Sequence, residues 1–193
     1  MKKIGLLGGS FDPPHKGHLF ISIEAKKILK LDEIWWLVTP QNPLKISQPA
    51  TYKERVKNCK KITTNYPIKI KEIEKKIRSK FSYQTINFLQ NYYNNISFFW
   101  LMGADNLINF HKWQKWRDIF QDIPIVIFKR HGYNIKALNS ISAKTFSNYR
   151  TSKIDLNKKI IKSIPLWTWI NNKEVKISST EIRNQRSFFR GKN

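Results

Sequence analysis

Apolar runs recur along the chain at residues 4–7, 34–38, 96–102 and 125–128, separated by longer stretches in which apolar positions return at helical spacing. Runs with no alternating polar face predict strands buried on both sides of a parallel sheet. Residues 18–30 place Ile21, Ala25, Ile28 and Leu29 on one helical face, and residues 52–64 do the same with Val56, Cys59 and Ile62. Pro40 and Pro43 enforce a loop between the second strand and that second helix. Residues 68–71 alternate, which predicts a more exposed strand. Ser82 is expected to cap a helix carrying Ile86, Leu89 and Tyr93. Residues 106–120 read as largely helical, residues 166–170 and 175–177 as short strands, and residues 178–189 as a closing helix. Residues 133–160 are polar and only weakly periodic. Strand and helix thus alternate, predicting an α/β fold: a Rossmann-like open, mostly parallel sheet with helices on both faces, in a single domain over residues 1–193. Such sheets bind ligands at the carboxyl ends of their strands. The segments at 8–18, 40–45, 103–105 and 129–130 all follow strands and are expected to converge on one rim.

Composition narrows this picture only a little. A hydrophobic content of 40% suits a packed globular chain rather than a disordered one. The net charge of +23 favours anionic partners. The lysines are scattered rather than blocked, so coding bias towards A and T explains the charge as readily as selection for a polyanion. Cys59 is the only cysteine, which excludes an internal disulfide and leads to the expectation of a reducing, cytoplasmic location. No apolar stretch approaches the roughly 18 residues of a membrane span, so no membrane partner is expected.

The first candidate chemistry is the string Gly8-Gly9-Ser10-Phe11-Asp12-Pro13-Pro14-His15-Lys16-Gly17-His18, directly after the first strand. Glycines there let a backbone approach a ligand closely, and the following helix points its positive end at the same spot. Histidines at i and i+3 share one helix face, so both imidazoles can reach one phosphate. The string is neither the dinucleotide G-x-G-x-x-G nor a Walker loop. No Ser, Cys or Asp forms an evident nucleophile and base pair with it, which favours direct transfer between bound substrates over a covalent intermediate. The second signal is Ile177-Ser178-Ser179-Thr180-Glu181-Ile182-Arg183. Ser178 and Glu181 have capping-box spacing, and a simple cap is one reading. Three hydroxyls, free amides and an arginine at one helix start also suit the outer phosphates of a triphosphate.

Together these motifs resemble the H-x-G-H nucleotidyltransferase superfamily, and within it the bacterial nicotinate-nucleotide adenylyltransferases. The middle of the chain carries the likeness too, in Pro40-Gln41-Asn42-Pro43-Leu44-Lys45, Ser82-Tyr83-Gln84-Thr85 and Gly103-Ala104-Asp105-Asn106-Leu107 with Trp113 beyond. The resemblance spans nearly the whole chain. It implies transfer of AMP from ATP to nicotinate mononucleotide, giving deamido-NAD and pyrophosphate in NAD biosynthesis. It implies His15 and His18 as catalytic contacts to the α-phosphate. Gly8, Gly9, Ser10 and Phe11 would line the ATP side, Gly103 and Asp105 the adenosine, and Ser179, Thr180 and Arg183 the β- and γ-phosphates. Lys45 would meet the mononucleotide phosphate, and Trp113 would stack on the pyridine ring with Tyr83 and Thr85 nearby. Mg²⁺ would be bound through the ATP phosphates, with no metal cluster in the protein.

The residues alone leave some roles open. Asp105 reads equally as a ribose ligand or as a cap on the helix after Gly103. Lys129 and Arg130 read as rim charge or as a solvated pair, and Trp35, Trp36 and Cys59 read as packing. Two rival functions stand beside the implied one. The first is the same chemistry on nicotinamide mononucleotide or phosphopantetheine. The second is a basic nucleic-acid-binding domain, which leaves the histidine and serine motifs without a role. Oligomeric state is left open.

Overall fold

Seven parallel strands form one open sheet in the order β3-β2-β1-β4-β5-β7-β6. They are β1 (Lys2–Gly9), β2 (Glu33–Val38), β3 (Ile68–Lys71), β4 (Ile96–Gly103), β5 (Ile125–Phe128), β6 (Arg150–Thr151) and β7 (Trp167–Ile170). The computed structural model that gives this architecture describes residues 1–40, 50–152, 164–172 and 179–183. Pro43, Lys45, the strand expected at 175–177 and the continuation of the last helix past 183 lie outside the described residues.

The unbroken apolar runs resolve into two faces of the sheet. Phe98, Trp100 and Met102 of β4 join Ile4, Leu6 and Trp35 on one face, where the short α3 (Ile73–Lys76), α4 (Ser82–Tyr92), α5 (Ala104–Asn109) and α6 (Trp116–Asp122) pack against them. Phe99 and Leu101 join Leu7, Trp36 and Val38 on the other, under α1 (Lys16–Leu29) and α2 (Tyr52–Thr63). Each fully buried large apolar side chain contributes roughly 1.5–3 kcal/mol. The two faces, not the lysine-rich helix surfaces, therefore carry the stability. Val56 and Cys59 of α2 point inward as expected, and burial pushes the Cys59 thiol up to about 12, which keeps it unreactive.

Several elements differ from expectation for identifiable reasons. Helix α1 begins at Lys16 rather than His18, because His15 itself serves as the N-cap. Ser82 is the first helical residue of α4 and caps nothing; Phe81 is the N-cap. Ser79 organises that turn instead, its Oγ accepting from the Phe81 N–H at 3.0 Å and donating to Gln84 Oε1 at 2.6 Å. The helix expected over 106–120 is interrupted. After α5 the chain makes a 3₁₀ turn at Phe110–Lys112, runs extended through Trp113 and passes Lys115 at φ 53° before α6 resumes. The weakly periodic region beyond 133 folds as two short helices, α7 (Asn134–Leu138) and α8 (Ile141–Thr145), leading to the edge strand β6. No described helix is long and apolar enough to cross a membrane.

Candidate active site

Adjacent strands β1 and β4 lie where the sheet order reverses, and their carboxyl ends open into a cavity of about 540 Å³. A crevice at this switch point is where open α/β sheets bind ligands. Gly8, Gly9, Ser10 and Phe11 line it from the first strand, and Gly103 and Asp105 from the fourth. Of the four strand-following segments expected on one rim, those at 8–18, 103–105 and 129–130 converge here together with Thr39, while residues 41–45 of the remaining segment lie outside the described residues.

The glycines serve packing as well as access. A Cβ on Gly8 would stand 2.8 Å from the Trp100 ring, so the indole of β4 occupies the space a side chain would need. The turn that follows takes its left-handed step at Phe11 (φ 49°) rather than at a glycine. That step drives the phenyl ring into the core, where it stacks on Trp36 at 4.6 Å and 11° and touches the His18 ring at 4.9 Å. Trp36 also meets His18 edge-on at 5.8 Å, and its Nε1–H donates to Ser22 Oγ, which donates to the His18 carbonyl. Trp36 is thus packing, as read from sequence, and also the floor beneath His18.

The two histidines cap their own helix. The Gly17 N–H donates to His15 Nδ1 at 3.1 Å, and the His15 N–H donates to His18 Nδ1 at 3.2 Å. This is a capping box built from imidazoles, with ring centroids 3.9 Å apart. Because each Nδ1 accepts, each neutral ring carries its proton on Nε2. Both rings line the cavity. Burial, aided by the positive charge of Arg130 and opposed by Asp105 and Glu181, lowers the His15 pKa to about 4. His15 is accordingly a neutral donor at physiological pH.

That depressed pKa carries a sign. The unfolded chain protonates His15 near 6.5 and the folded chain only near 4, so the folded state binds fewer protons between those values. The stability associated with His15 is complete above pH 6.5 and is lost as pH falls towards 4. His15→Gln should therefore lose less stability than wild type between pH 7 and pH 4, as measured by urea midpoints. Parallel losses in the two proteins would show that His15 does not titrate in this way.

The distal motif docks directly on the first one. Residues 179–183 are helical, Ser179 Oγ donates to the Pro13 carbonyl at 2.9 Å, and Arg183 Nη1 donates to the Asp12 carbonyl. Arg183 Nη2 reaches Thr180 Oγ1 at 3.2 Å. Ser179 and Thr180 line the cavity, with Arg183 behind them holding the turn. On the opposite side, Trp113 lines the cavity because the interrupted helix turns it inward, edge-on to Trp100 at 6.2 Å.

Two expected side chains are not brought to the cavity. Thr85 is wholly buried on the inward face of α4, and Tyr83 stacks on Phe81 with Lys115 over its ring. The helical phase of α4 sets both aside, while Lys80, Phe81 and Ser82 at its start form the lining. Asp105 is not a cap either. Gly103 is the N-cap of α5, and Asp105 Oδ2 pairs with Arg130 Nη1 at 2.6 Å. The pairing gives Arg130 a specific partner that its strand-end position alone did not reveal.

Among the described residues no three His, Cys, Asp or Glu side chains converge to hold a metal ion. The cavity's acidic side chains each face an arginine, Asp105 as above and Asp12 with its Oδ2 3.9 Å from Arg183. This donor set suits a hard cation carried in on phosphate oxygens rather than one held by a carboxylate cage.

Residues 6–185 match the cytidylyltransferase-like family. A probable nicotinate-nucleotide adenylyltransferase of Ruegeria sp. (strain TM1040) is 42% identical over 182 residues, covering 94% of this chain and 96% of the relative. One from Agrobacterium fabrum is 38% identical, covering 94% and 97%. The solved structure of Plasmodium falciparum nicotinic acid mononucleotide adenylyltransferase complexed with NaAD superposes with a TM-score of 0.71 at 20% identity, covering 95% of this chain and 83% of that one. At that identity it speaks for the fold. The sequence relatives and the matched family agree, and the chain belongs to the cytidylyltransferase-like family as a member of its nicotinate-nucleotide adenylyltransferase branch.

Proposed function

We propose that the protein transfers AMP from ATP to nicotinate mononucleotide in the cytoplasm, forming nicotinate adenine dinucleotide and pyrophosphate. The observation that carries this reading is the meeting of the paired histidines with the Ser179–Thr180 turn across one cavity at the ends of β1 and β4. An oxygen of the mononucleotide phosphate attacks the α-phosphorus in line. The bond from that phosphorus to the bridging oxygen breaks, and pyrophosphate leaves with the electron pair. Such chemistry asks a protein for positioning and charge stabilisation rather than a nucleophile of its own.

The Nε2–H edges of His15 and His18 are suited to hold the charge that grows on the α-phosphate oxygens. A neutral His15 does so as a hydrogen-bond donor and surrenders no proton. Ser179 and Thr180 on the lining, with Arg183 behind them, support the outer-phosphate role that their motif implies, and the positive end of α1 adds to the same field. Asp105, held by Arg130 on the cavity wall with Gly103, supports the adenosine role that its motif implies. Trp113 offers an indole face to an electron-poor pyridine ring. Lys45 keeps the phosphate-binding role implied by its motif. Mg²⁺ bound to the triphosphate oxygens would neutralise part of their charge, with Asp12 and Asp105 left to their arginines.

The discriminating experiment incubates the protein with ATP and Mg²⁺ and each of three acceptors, following pyrophosphate release. Nicotinate mononucleotide is expected to give the highest kcat/KM. Release with nicotinamide mononucleotide or phosphopantetheine alone would overturn the acceptor assignment.

A further inference from the structure

Arg55 lies on the buried side of α2, with only 1% of its surface exposed. Its guanidinium is spent on backbone carbonyls: Nη1 donates to Ser10 at 2.6 Å and to Thr39 at 2.8 Å, Nη2 to Pro40 at 2.8 Å, and Nε to Ala50 at 3.0 Å. Burial draws its pKa down and the Asp12 charge opposes this, while the Tyr52 ring sits 5.4 Å from the guanidinium carbon. A buried cation is costly and core stability alone gives weak reason to keep one. Its placement suggests what it is for.

The β1–β2 ladder ends with the pair Gly9 and Val38, and the final backbone bond is from the Thr39 N–H to the Gly9 carbonyl at 3.0 Å. Beyond that bond the β1–β2 pairing stops, and both Ser10 and Thr39 line the cavity. Arg55 takes over where the ladder stops, and it further ties Pro40 to Ala50 across the return to α2. An ammonium at this position could not match the planar fork that spans these carbonyls.

We infer that Arg55 is a positioning residue: it fixes the Ser10 turn, which leads to the histidines, against the neighbouring Thr39–Pro40 and Ala50 backbone. Its kinetic consequence rests on the function proposed above, because misplacement by about 1 Å of groups that align two substrates costs on the order of 100-fold in rate.

The test uses Arg55→Lys and Arg55→Met in the full chain, with two readouts. In the free protein, hydrogen–deuterium exchange should rise at residues 9–12 and at the amides flanking Pro40 and Ala50, with β4 and β5 unchanged. In turnover with ATP and nicotinate mononucleotide, kcat should fall on the order of 100-fold in Arg55→Met and less in Arg55→Lys, with smaller changes in either KM. Three results overturn the inference: a folded Arg55→Met within threefold of wild-type kcat, exchange rising uniformly through the sheet, or failure of both variants to fold. Should wild type itself release no pyrophosphate, the proposed reaction fails, while a selective rise in exchange would still uphold the clamp.

Discussion

Replacing His18 by alanine should lower kcat for pyrophosphate release on the order of 100-fold or more, as removal of one preorganised charge-stabilising donor does. The expected size follows from what the ring does at both edges. The ring lines the cavity, and its Nδ1 accepts the His15 N–H that closes the helix cap. Alanine removes both, so a stability loss of about 1 kcal/mol should accompany the kinetic loss. His18→Asn separates the two effects, since its short amide can accept from the helix terminus but cannot extend a donor as far as an imidazole. The asparagine variant should recover most of the melting temperature and little of the turnover. A folded His18→Ala enzyme within tenfold of wild type would remove His18 from the chemistry.

The second large effect is expected at Arg183. Charge-assisted hydrogen bonds contribute roughly 1.5–3 kcal/mol, or about 10- to 150-fold in kcat/KM if expressed fully in the transition state. Arg183→Ala deletes such a donor and releases the Asp12 carbonyl that anchors the distal motif to the first turn. The loss should fall on ATP: its KM rises and kcat declines, while KM for the mononucleotide moves far less. Arg183→Lys should recover only part, because an ammonium cannot serve Asp12 and Thr180 together in the way the planar fork does. Equal changes in both KM values would assign Arg183 to general support of the fold.

Much of this was legible in the chain because the relevant signals are local. The strands announce themselves by apolar runs, since a parallel strand covered on both faces has no polar side to show. The Gly8–His18 string sits at a strand-to-helix turn whose chemistry is contained within eleven residues. What escaped depends on partners distant in sequence or on helical phase. Arg55 carries no signal that sets it apart from the lysines of its helix until Ser10 and Thr39 are brought beside it. The Asp105 and Arg130 pair needs β4 and β5 to be neighbours. Trp113 reaches the cavity only because the helix expected around it breaks, and Thr85 misses it because α4 turns that position to the core. His15 as a helix cap had no signal in residue preferences, which favour Ser, Thr, Asp and Asn.

The bonds from Ser179 and Arg183 to Pro13 and Asp12 join positions 166 and 171 residues apart. Closing so long a loop delays such contacts in folding, because their entropic cost is met only after the intervening sheet has formed. A chain emerging from the ribosome therefore exposes its histidines early and completes their surroundings late. Catalytic competence becomes a report on synthesis through the distal motif: a partly made chain can assemble β1 and β2 and still hydrolyse or transfer nothing.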